Sequence, residues 1–308
     1  MSRMHRDRVK ADPVKKHGRL RTAVQLGFAV FFNGYAAGFF RAKIFTGKTK
    51  GVCVPVLNCY SCPGALGACP IGSLQAILGG ADKRVPFYVL GTLTLFGVLL
   101  GRLACGFLCP FGFLQDILSK IPVKKLRLPK KLDKALRYVK YLILLVFVLL
   151  LPTFLVDKYG AGAPWFCKYI CPAGTLEGGV PLLIGNETLR ALAGWLFSWK
   201  ALVLLTVLVG AIWIPRFFCR YLCPLGAIYG LFNRFSLARM ALDKEKCVNC
   251  GKCEQVCPMT VDVRKDINTA ECIRCGKCKA ACPANAIRRD PLVKKSAAKT
   301  ENAGGKTE

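Results

Sequence analysis

Apolar residues are bunched along this chain into long runs separated by basic or cysteine-rich segments. Four runs stand out: Thr22–Phe40, Phe87–Leu108, Tyr138–Val156 and Trp195–Ile214. A helix needs roughly 20 apolar residues to cross a hydrocarbon core about 30 Å thick, so each run predicts a transmembrane helix. The third contains YLILLVFVLLLPTFLV and is apolar almost throughout. The first is interrupted by Gln25 and Asn33. A signal peptide is the competing reading there, but the stretch is long and no small-residue cleavage site follows it. Two further pieces, GSLQAILGG and GTLEGGVPLLIGN, are too short to cross and read as re-entrant or interfacial half-helices. From about Val293 the chain is mostly Lys, Ala, Thr, Gly and Glu without periodicity, which predicts disorder.

Charge fixes the expected orientation. The 308 residues carry 46 Lys and Arg against 17 Asp and Glu, a formal net charge of +29. The basic residues sit in three blocks beside the apolar runs: Arg3 to Arg21, Lys120 to Lys140, and Arg216 to Lys246. The segment after the third run is nearly balanced, with Asp157, Glu177 and Glu187 against Lys158, Lys168 and Arg190. Arg41, Lys43, Lys48 and Lys50 make the segment after the first run less clear. The positive-inside rule is met if both termini lie in the cytoplasm. A multi-pass protein of the inner (cytoplasmic) membrane is therefore expected, and nucleic acid is excluded as the reason for the charge. The expected organisation is a basic cytoplasmic tail over residues 1–21, a four-span domain over 22–240, a soluble cytoplasmic module over 241–290 and a disordered tail over 291–308.

Cysteine supplies the chemistry. There are 18, too many for ordinary usage and in too long a chain for a small disulfide scaffold. Only two histidines occur, His5 and His17, both in the basic N-terminal segment, which excludes a bis-histidine haem in the membrane. Near the C-terminus the run C-x2-C-x2-C-x3-C-P is written twice, as CVNCGKCEQVCP and CIRCGKCKAACP. This is the bacterial two-cluster ferredoxin run, in which the fourth cysteine of each repeat serves the other cluster. Cys247, Cys250, Cys253 and Cys282 are assigned to one [4Fe–4S] cluster, and Cys272, Cys275, Cys278 and Cys257 to a second. The glycine after the second cysteine of each repeat lets the backbone turn closely and offer N–H groups to sulfur. Structural zinc would favour paired knuckles at longer separation and does not need the Cys-Pro endings.

Four more Cys-Pro segments lie upstream: Cys69-Pro-Ile-Gly, Cys109-Pro-Phe-Gly, Cys171-Pro-Ala-Gly and Cys223-Pro-Leu-Gly. Three have a partner four residues earlier, namely Cys105, Cys167 and Cys219. The first instead has Cys62 seven residues earlier, with Cys59 and Cys53 further upstream. Residues i and i+4 share a helix face, so two thiolates can point at one centre. Proline directly after the second cysteine marks a helix boundary. Spans and Cys-Pro motifs alternate, which is a tandem duplication of two helices per half, the halves related about an axis along the membrane normal. That order places Cys105, Cys109, Cys219 and Cys223 together on the cytoplasmic side. Cys69, Cys167 and Cys171 meet on the outer side with Cys62, Cys59 being the alternative fourth ligand and Cys53 a spare thiol. The membrane domain thus accommodates up to two further [4Fe–4S] clusters. Buried free cysteines acting as small hydrophobes are the plainer reading, but they would not repeat C-P-x-G at matched positions.

CGFLCPFGFLQD and CRYLCPLGAIYGLF, followed by the double ferredoxin motif, resemble the membrane polyferredoxins of the NapH and NosR type. The resemblance runs from about Cys59 to Cys282. It implies an α-helical integral membrane protein with four transmembrane helices in two tandem repeats, plus an α+β two-[4Fe–4S] ferredoxin-like module. It also implies electron transfer linked to quinol oxidation, or delivery of electrons to a partner oxidoreductase such as a flavin- or haem-containing subunit. No flavin attachment motif, G-x-G-x-x-G or P-loop is present. A relay between cytoplasmic clusters and a quinone or periplasmic partner is the expected function, with an accessory or regulatory protein that reduces a metal or cofactor for another enzyme as the alternative. Arg102, Lys168 and Arg220 flank the Cys-Pro motifs, where they either raise cluster potentials or serve as membrane-interface charges. A transporter would need polar groups inside the spans, where Gln25 and Asn33 are the obvious candidates.

Overall fold

Four helices carry the chain between two layers of cysteine. They are α1 (Arg3–Phe32), α2 (Phe87–Leu99), α3 (Lys130–Phe154) and α4 (Trp195–Trp213). The computed structural model describes residues 3–80, 85–126, 128–158 and 160–289, with side chains from residue 13 onward. The tail expected at 291–308 and the side chain of His5 lie outside the described residues. Below, the inner layer is the one against the ferredoxin module and the outer layer the one at the far end of the helices.

Among the described residues only α3 and α4 are long and apolar enough to cross a membrane unaided. The other two expected spans are broken. Phe87–Leu108 is two helices, because Gly101 takes φ +53° and turns the chain into a short helix at Leu103–Phe107. Thr22–Phe40 splits at Asn33, after which a short helix covers Ala36–Arg41. α2 is consequently about 20 Å long at 1.5 Å per residue. α3 contains a π-helical stretch, Leu144–Leu150, just ahead of Pro152. Proline lacks the N–H that would close the helix one turn back, and the wider turn absorbs that mismatch.

α3 and α4 face outward. Only 22% and 17% of their apolar windows are buried, and Leu142, Leu145, Leu202 and Leu205 are among the exposed side chains. A core helix of a soluble protein would show the opposite balance. Their polar ends and buried faces instead follow the two cysteine layers. At the inner end of α3, Arg137 reaches Thr260 Oγ1 at 2.9 Å in the ferredoxin module. At its outer end it packs against the short helices Pro70–Leu78 and Trp165–Tyr169.

The two short apolar pieces of the sequence are helices, Pro70–Leu78 and Val180–Gly185, the latter continuing a π-turn at Gly174–Gly179. Helices starting at Pro70, Pro110 and Pro224 each have a cysteine as N-cap and proline at the first position. Proline is at no disadvantage there, since that N–H has no helical partner. The cap sulfur is used as well: Gly112 N–H points to Cys109 Sγ and Gly226 N–H to Cys223 Sγ, each at 3.4 Å. Helix N-termini favour negative charge, so a thiolate is well placed.

The ferredoxin module is closed by strands β1 (Met240–Leu242) and β2 (Ile287–Arg289), paired antiparallel with Leu242 opposite Ile287. It is docked on the inner layer. Arg274 donates to Leu100 O at 2.9 Å and to Asn233 O at 2.5 Å, while Asn233 Nδ2 returns bonds to Thr269 O and Cys272 O. α1 lies along the same seam, with His17 Nε2 2.7 Å from Cys275 O and Arg21 Nε donating to Gly106 O. The basic N-terminal segment read as a tail is thus, from residue 13 at least, a packed helix.

Gly106 lies tight against the module, since a Cβ there would lie 2.4 Å from Ile273 O. In Gly106→Ala the gain in helix propensity, up to about 1 kcal/mol, is outweighed by overpacking of about 1–3 kcal/mol. The expected result is earlier protease nicking between the two parts and a lower thermal midpoint, read on purified protein.

Candidate iron–sulfur sites

The ferredoxin repeats place their cysteines by left-handed backbone. Asn249, Gly251 and Thr260 in the first repeat and Arg274, Gly276 and Asn285 in the second all have positive φ. These positions correspond one to one, so both loops wrap in the same way. Cys247, Cys250, Cys253 and Cys282 line one cavity, and Cys257, Cys272, Cys275 and Cys278 line another. Each cavity therefore takes its fourth sulfur from the other repeat. That sulfur accepts a main-chain N–H in both cases, Val261 to Cys257 at 3.4 Å and Ala286 to Cys282 at 3.3 Å. Cys250 is exposed, whereas Cys275 and Cys278 are buried against the inner layer.

At the inner layer Cys105, Cys109, Cys219 and Cys223 are buried and are one another's electrostatic neighbours. Two fully buried arginines bind them from opposite halves. Arg102 Nη2 donates to Cys219 O at 2.9 Å and Arg216 Nη1 donates to Cys105 O at 2.6 Å. This reciprocity is what a tandem duplication predicts. Gln115 Nε2 donates to Cys219 Sγ at 3.2 Å, and its Oε1 is fixed by Phe218 N–H.

Three carboxylates steady these cations. Asp116 pairs with Arg21 and with Arg216, Asp133 with Arg137 and Arg220, and Glu271 with Arg102 and Lys140. Burial alone would raise the Glu271 carboxyl, but Arg102 and Lys140 hold it below the usual range. Arg102 and Arg220 are thus buried and ion-paired rather than membrane-interface charges. Arg220 also links the layer to the ferredoxin loop through Thr260.

At the outer layer a cavity of about 360 Å³ is lined by Cys59, Cys69, Cys167 and Cys171. Of the two candidates for the fourth member of this set, Cys59 lines the cavity and Cys62 does not. Cys62 sits in a neighbouring pocket, its thiol 3.5 Å from Asn33 Oδ1. Cys59 is turned to the cavity because its N–H is held by Glu177 Oε2 at 2.8 Å. Gln75 Nε2 donates to Cys167 Sγ at 3.3 Å while its Oε1 takes Phe166 N–H, repeating the inner arrangement of Gln115. Lys168 and Lys200 line the same cavity. Cys53 lies apart from the four, buried beside Tyr88. The main chain at Leu57 and Asn58 runs between the layers, Leu57 beside Cys109 and Asn58 beside Cys69.

Sequence reasoning missed Gln75, Gln115, Asp116 and Arg216. A signal was available: Gln75, Gln115, Glu177 and Tyr229 each stand six residues after a Cys-Pro cysteine, and Arg102 and Arg216 each stand three before a first cysteine. The donor set fits cubanes better than single ions. Among the described residues no three of His, Cys, Asp and Glu converge as one metal ion would require. Three of the four cysteine sets line cavities, the inner set is a buried cluster, and N–H donors are aimed at sulfur in each, as cluster ligation needs.

Residues 85–129, 140–184 and 192–242 each match the 4Fe-4S binding domain family, and residues 239–283 match the 4Fe-4S dicluster domain family. An uncharacterized protein of Methanocaldococcus jannaschii is 30% identical over 185 residues, 58% of this chain and 68% of that one. The methylamine utilization ferredoxin-type protein MauN of Paracoccus denitrificans is 33% identical over 189 residues, 60% of this chain and 59% of its own. Regulatory protein NosR of Stutzerimonas stutzeri is 30% identical over 178 residues, 55% of this chain and 22% of its own. The chain belongs to the NapH/NosR-type family of 4Fe–4S proteins. It spans between about half and two thirds of the archaeal and MauN relatives, and a smaller part of NosR. No solved structure matches it. The three matched 4Fe-4S binding segments of this NapH/NosR-type chain hold Cys105 with Cys109, Cys167 with Cys171, and Cys219 with Cys223. The family's repeat is therefore one long helix followed by one Cys-Pro turn.

Two substitutions separate the outer-layer alternatives. Cys59→Ser is expected to lower iron by about four atoms per chain, one cubane, whereas Cys62→Ser keeps the full content, measured by iron and acid-labile sulfide after anaerobic purification. Asp116→Ala leaves Arg21 and Arg216 buried without their carboxylate and should cost about 3–5 kcal/mol, seen as a large drop in thermal midpoint.

Proposed function

We propose that this chain is a membrane-embedded electron relay with four [4Fe–4S] sites in sequence. The exposed ferredoxin set of Cys247, Cys250, Cys253 and Cys282 comes first. The set of Cys257, Cys272, Cys275 and Cys278 follows, then the inner layer, then Cys59, Cys69, Cys167 and Cys171. Each cluster, when bound, supplies a one-electron couple whose potential is tuned by charge and hydrogen bonding.

The observation that carries the reading is the continuity of the protein between the sets. The two ferredoxin sets exchange their fourth cysteines. The loop Thr269–Gly276 holds the second set directly against Leu100–Gly106, beside Cys105. One peptide step, Leu57 to Asn58, separates Cys109 from Cys69. A hydrocarbon core about 30 Å thick is too far for one fast electron step, and a spaced series of sites divides it. The outward apolar faces of α3 and α4 support a membrane setting. In this reading α1 and α2 complete four passes while their polar and short ends are sheltered by the module and the cysteine loops. The basic segments gathered on the module's side support a cytoplasmic module.

The chain's residues have separate tasks in this scheme. Cysteines hold the sites, Arg102, Arg216 and Lys140 offset their charge, and the apolar helices exclude water. A second cavity of about 300 Å³, with Phe39, Leu114, Leu176 and Pro181 as walls and Asn33 and Glu177 as polar groups, lies one residue's width from Cys59. It is the place where a quinol head group would meet the outer end of the path. A periplasmic redox partner is the other occupant of that end.

The test is iron and sulfide content followed by transfer across a bilayer. About sixteen iron atoms per chain are expected from four cubanes. Vesicles containing the chain should pass electrons from external dithionite to trapped ferricyanide. Cys219→Ser should stop that transfer while the ferredoxin EPR signals remain. About eight iron atoms, or transfer unaffected by Cys219→Ser, would remove the inner layer from the path.

A further inference from the structure

The four residues that stand six places after a Cys-Pro cysteine follow one rule, and one of them leaves its bond unmade. Gln75 and Gln115 donate to the sulfur of the first cysteine in the repeat sharing their layer, Cys167 and Cys219. Glu177 accepts the N–H of Cys59, the residue standing in that place in the first repeat. By the same rule Tyr229 belongs to Cys105.

Tyr229 is on the helix Pro224–Phe232, which packs against α2, α3 and the outer-layer helix Pro70–Leu78. Its side chain is 0% exposed, and its hydroxyl has no hydrogen-bond partner among the described residues. The thiols that surround it electrostatically are those of Cys105, Cys69, Cys53 and Cys109, so it stands between the two layers. The plain alternative is that Tyr229 fills core volume. Phenylalanine would do that without burying a donor that has nothing to bond, and a buried unpaired hydroxyl is costly. An unsatisfied buried donor in a native protein calls for an acceptor. The sulfur atoms of a cluster are acceptors of that kind, and Gln115 already aims an N–H at the same layer.

We propose that Tyr229 donates its hydroxyl hydrogen bond to the cluster held by Cys105, Cys109, Cys219 and Cys223 and thereby raises that cluster's potential. The inference rests on the reading that the inner layer holds a cluster. The sign follows from charge. Reduction adds an electron to a group already negative, and a donor at sulfur stabilises the more negative state more. Tyr229 is a positioning and tuning residue and is not required for ligation.

The experiment is an EPR-monitored redox titration of the full chain, purified anaerobically in detergent. The inner-layer signal is identified as the one lost in Cys219→Ser. Tyr229→Phe keeps the ring and removes the donor. It is expected to retain the wild-type iron content and to lower the inner-layer midpoint, so that the reduced-to-oxidised ratio at the wild-type midpoint falls about tenfold, or about 59 mV for a one-electron couple. Tyr229→Gln supplies the N–H found at Gln75 and Gln115, and it should bring the midpoint back toward wild type. A Tyr229→Phe protein with full iron and an unchanged midpoint overturns the proposal. Loss of inner-layer iron in both variants overturns it too, since Tyr229 would then be filling space. A wild-type chain without inner-layer iron is a different result and overturns the relay reading itself.

Discussion

Cysteine sulfurs that would carry negative charge as ligands have to be placed among apolar helices, and this electrostatic constraint accounts for the polar groups buried around the cysteine layers. A cubane with four thiolates holds about two negative charges, which low-dielectric surroundings penalise heavily. The inner layer answers with cations. Three buried carboxylates are shared among six basic side chains, leaving three positive charges over (six minus three) beside the inner layer and the second ferredoxin set. Buried ion pairs are weak evidence for stability, because apolar residues of similar volume often serve as well or better. Their surplus of positive charge is what an apolar replacement would lose. The buried arginines are therefore better explained by the sites than by the fold.

The same constraint shapes the repeats. A single helix with its Cys-Pro turn supplies two sulfurs, half of what a cubane needs. Two repeats must face each other to complete a set, and successive repeats point to opposite ends of the helices. Four repeats accordingly give two layers. The crossed contacts of Arg102 and Arg216 tie the halves of the inner layer together. The ferredoxin module repeats the logic on a smaller scale, with Cys257 and Cys282 exchanged between its loops. In both parts no repeat can complete its own site, so cluster binding and packing of the repeats are expected to be coupled.

What could be read from the sequence depended on how local the signal was. The grouping of the ferredoxin and inner cysteines was legible because neighbours within each motif stand three or four residues apart. The outer set was only three-quarters legible. Ten residues separate Cys59 from Cys69, and nothing local distinguishes Cys59 from Cys62. The choice is made by Glu177, more than a hundred residues later in the chain. Hydropathy found α3 and α4 but overran α2, because an apolar count does not register the left-handed turn at Gly101. It also misjudged the end of the basic N-terminal segment. His17 and Arg21 fell within the stretch read as a basic tail, and their partners Cys275 and Asp116 are visible only once the chain has folded.

The two layers then differ in a way that bears on electron flow. The inner one has Arg102 and Arg216 bonded to cysteine carbonyls, Gln115 bonded to sulfur and a surplus of cations. The outer one has Gln75 on sulfur, but the matching position of its other repeat is Glu177, which accepts the Cys59 N–H, where the inner layer has Tyr229 with an unpartnered hydroxyl. Donors and positive charge stabilise the reduced state of a neighbouring cluster, and a carboxylate opposes it. Divergence at two repeated positions has made their electrostatics unlike: Arg102 and Arg216 stand where the outer repeats have Val56 and Pro164, and Tyr229 stands where they have Glu177. Lys168 and Lys200 line the outer cavity as well, so the layers differ in how charge is arranged around the sulfurs, with ion-paired arginines at the inner set and lysines beside a carboxyl group at the outer one.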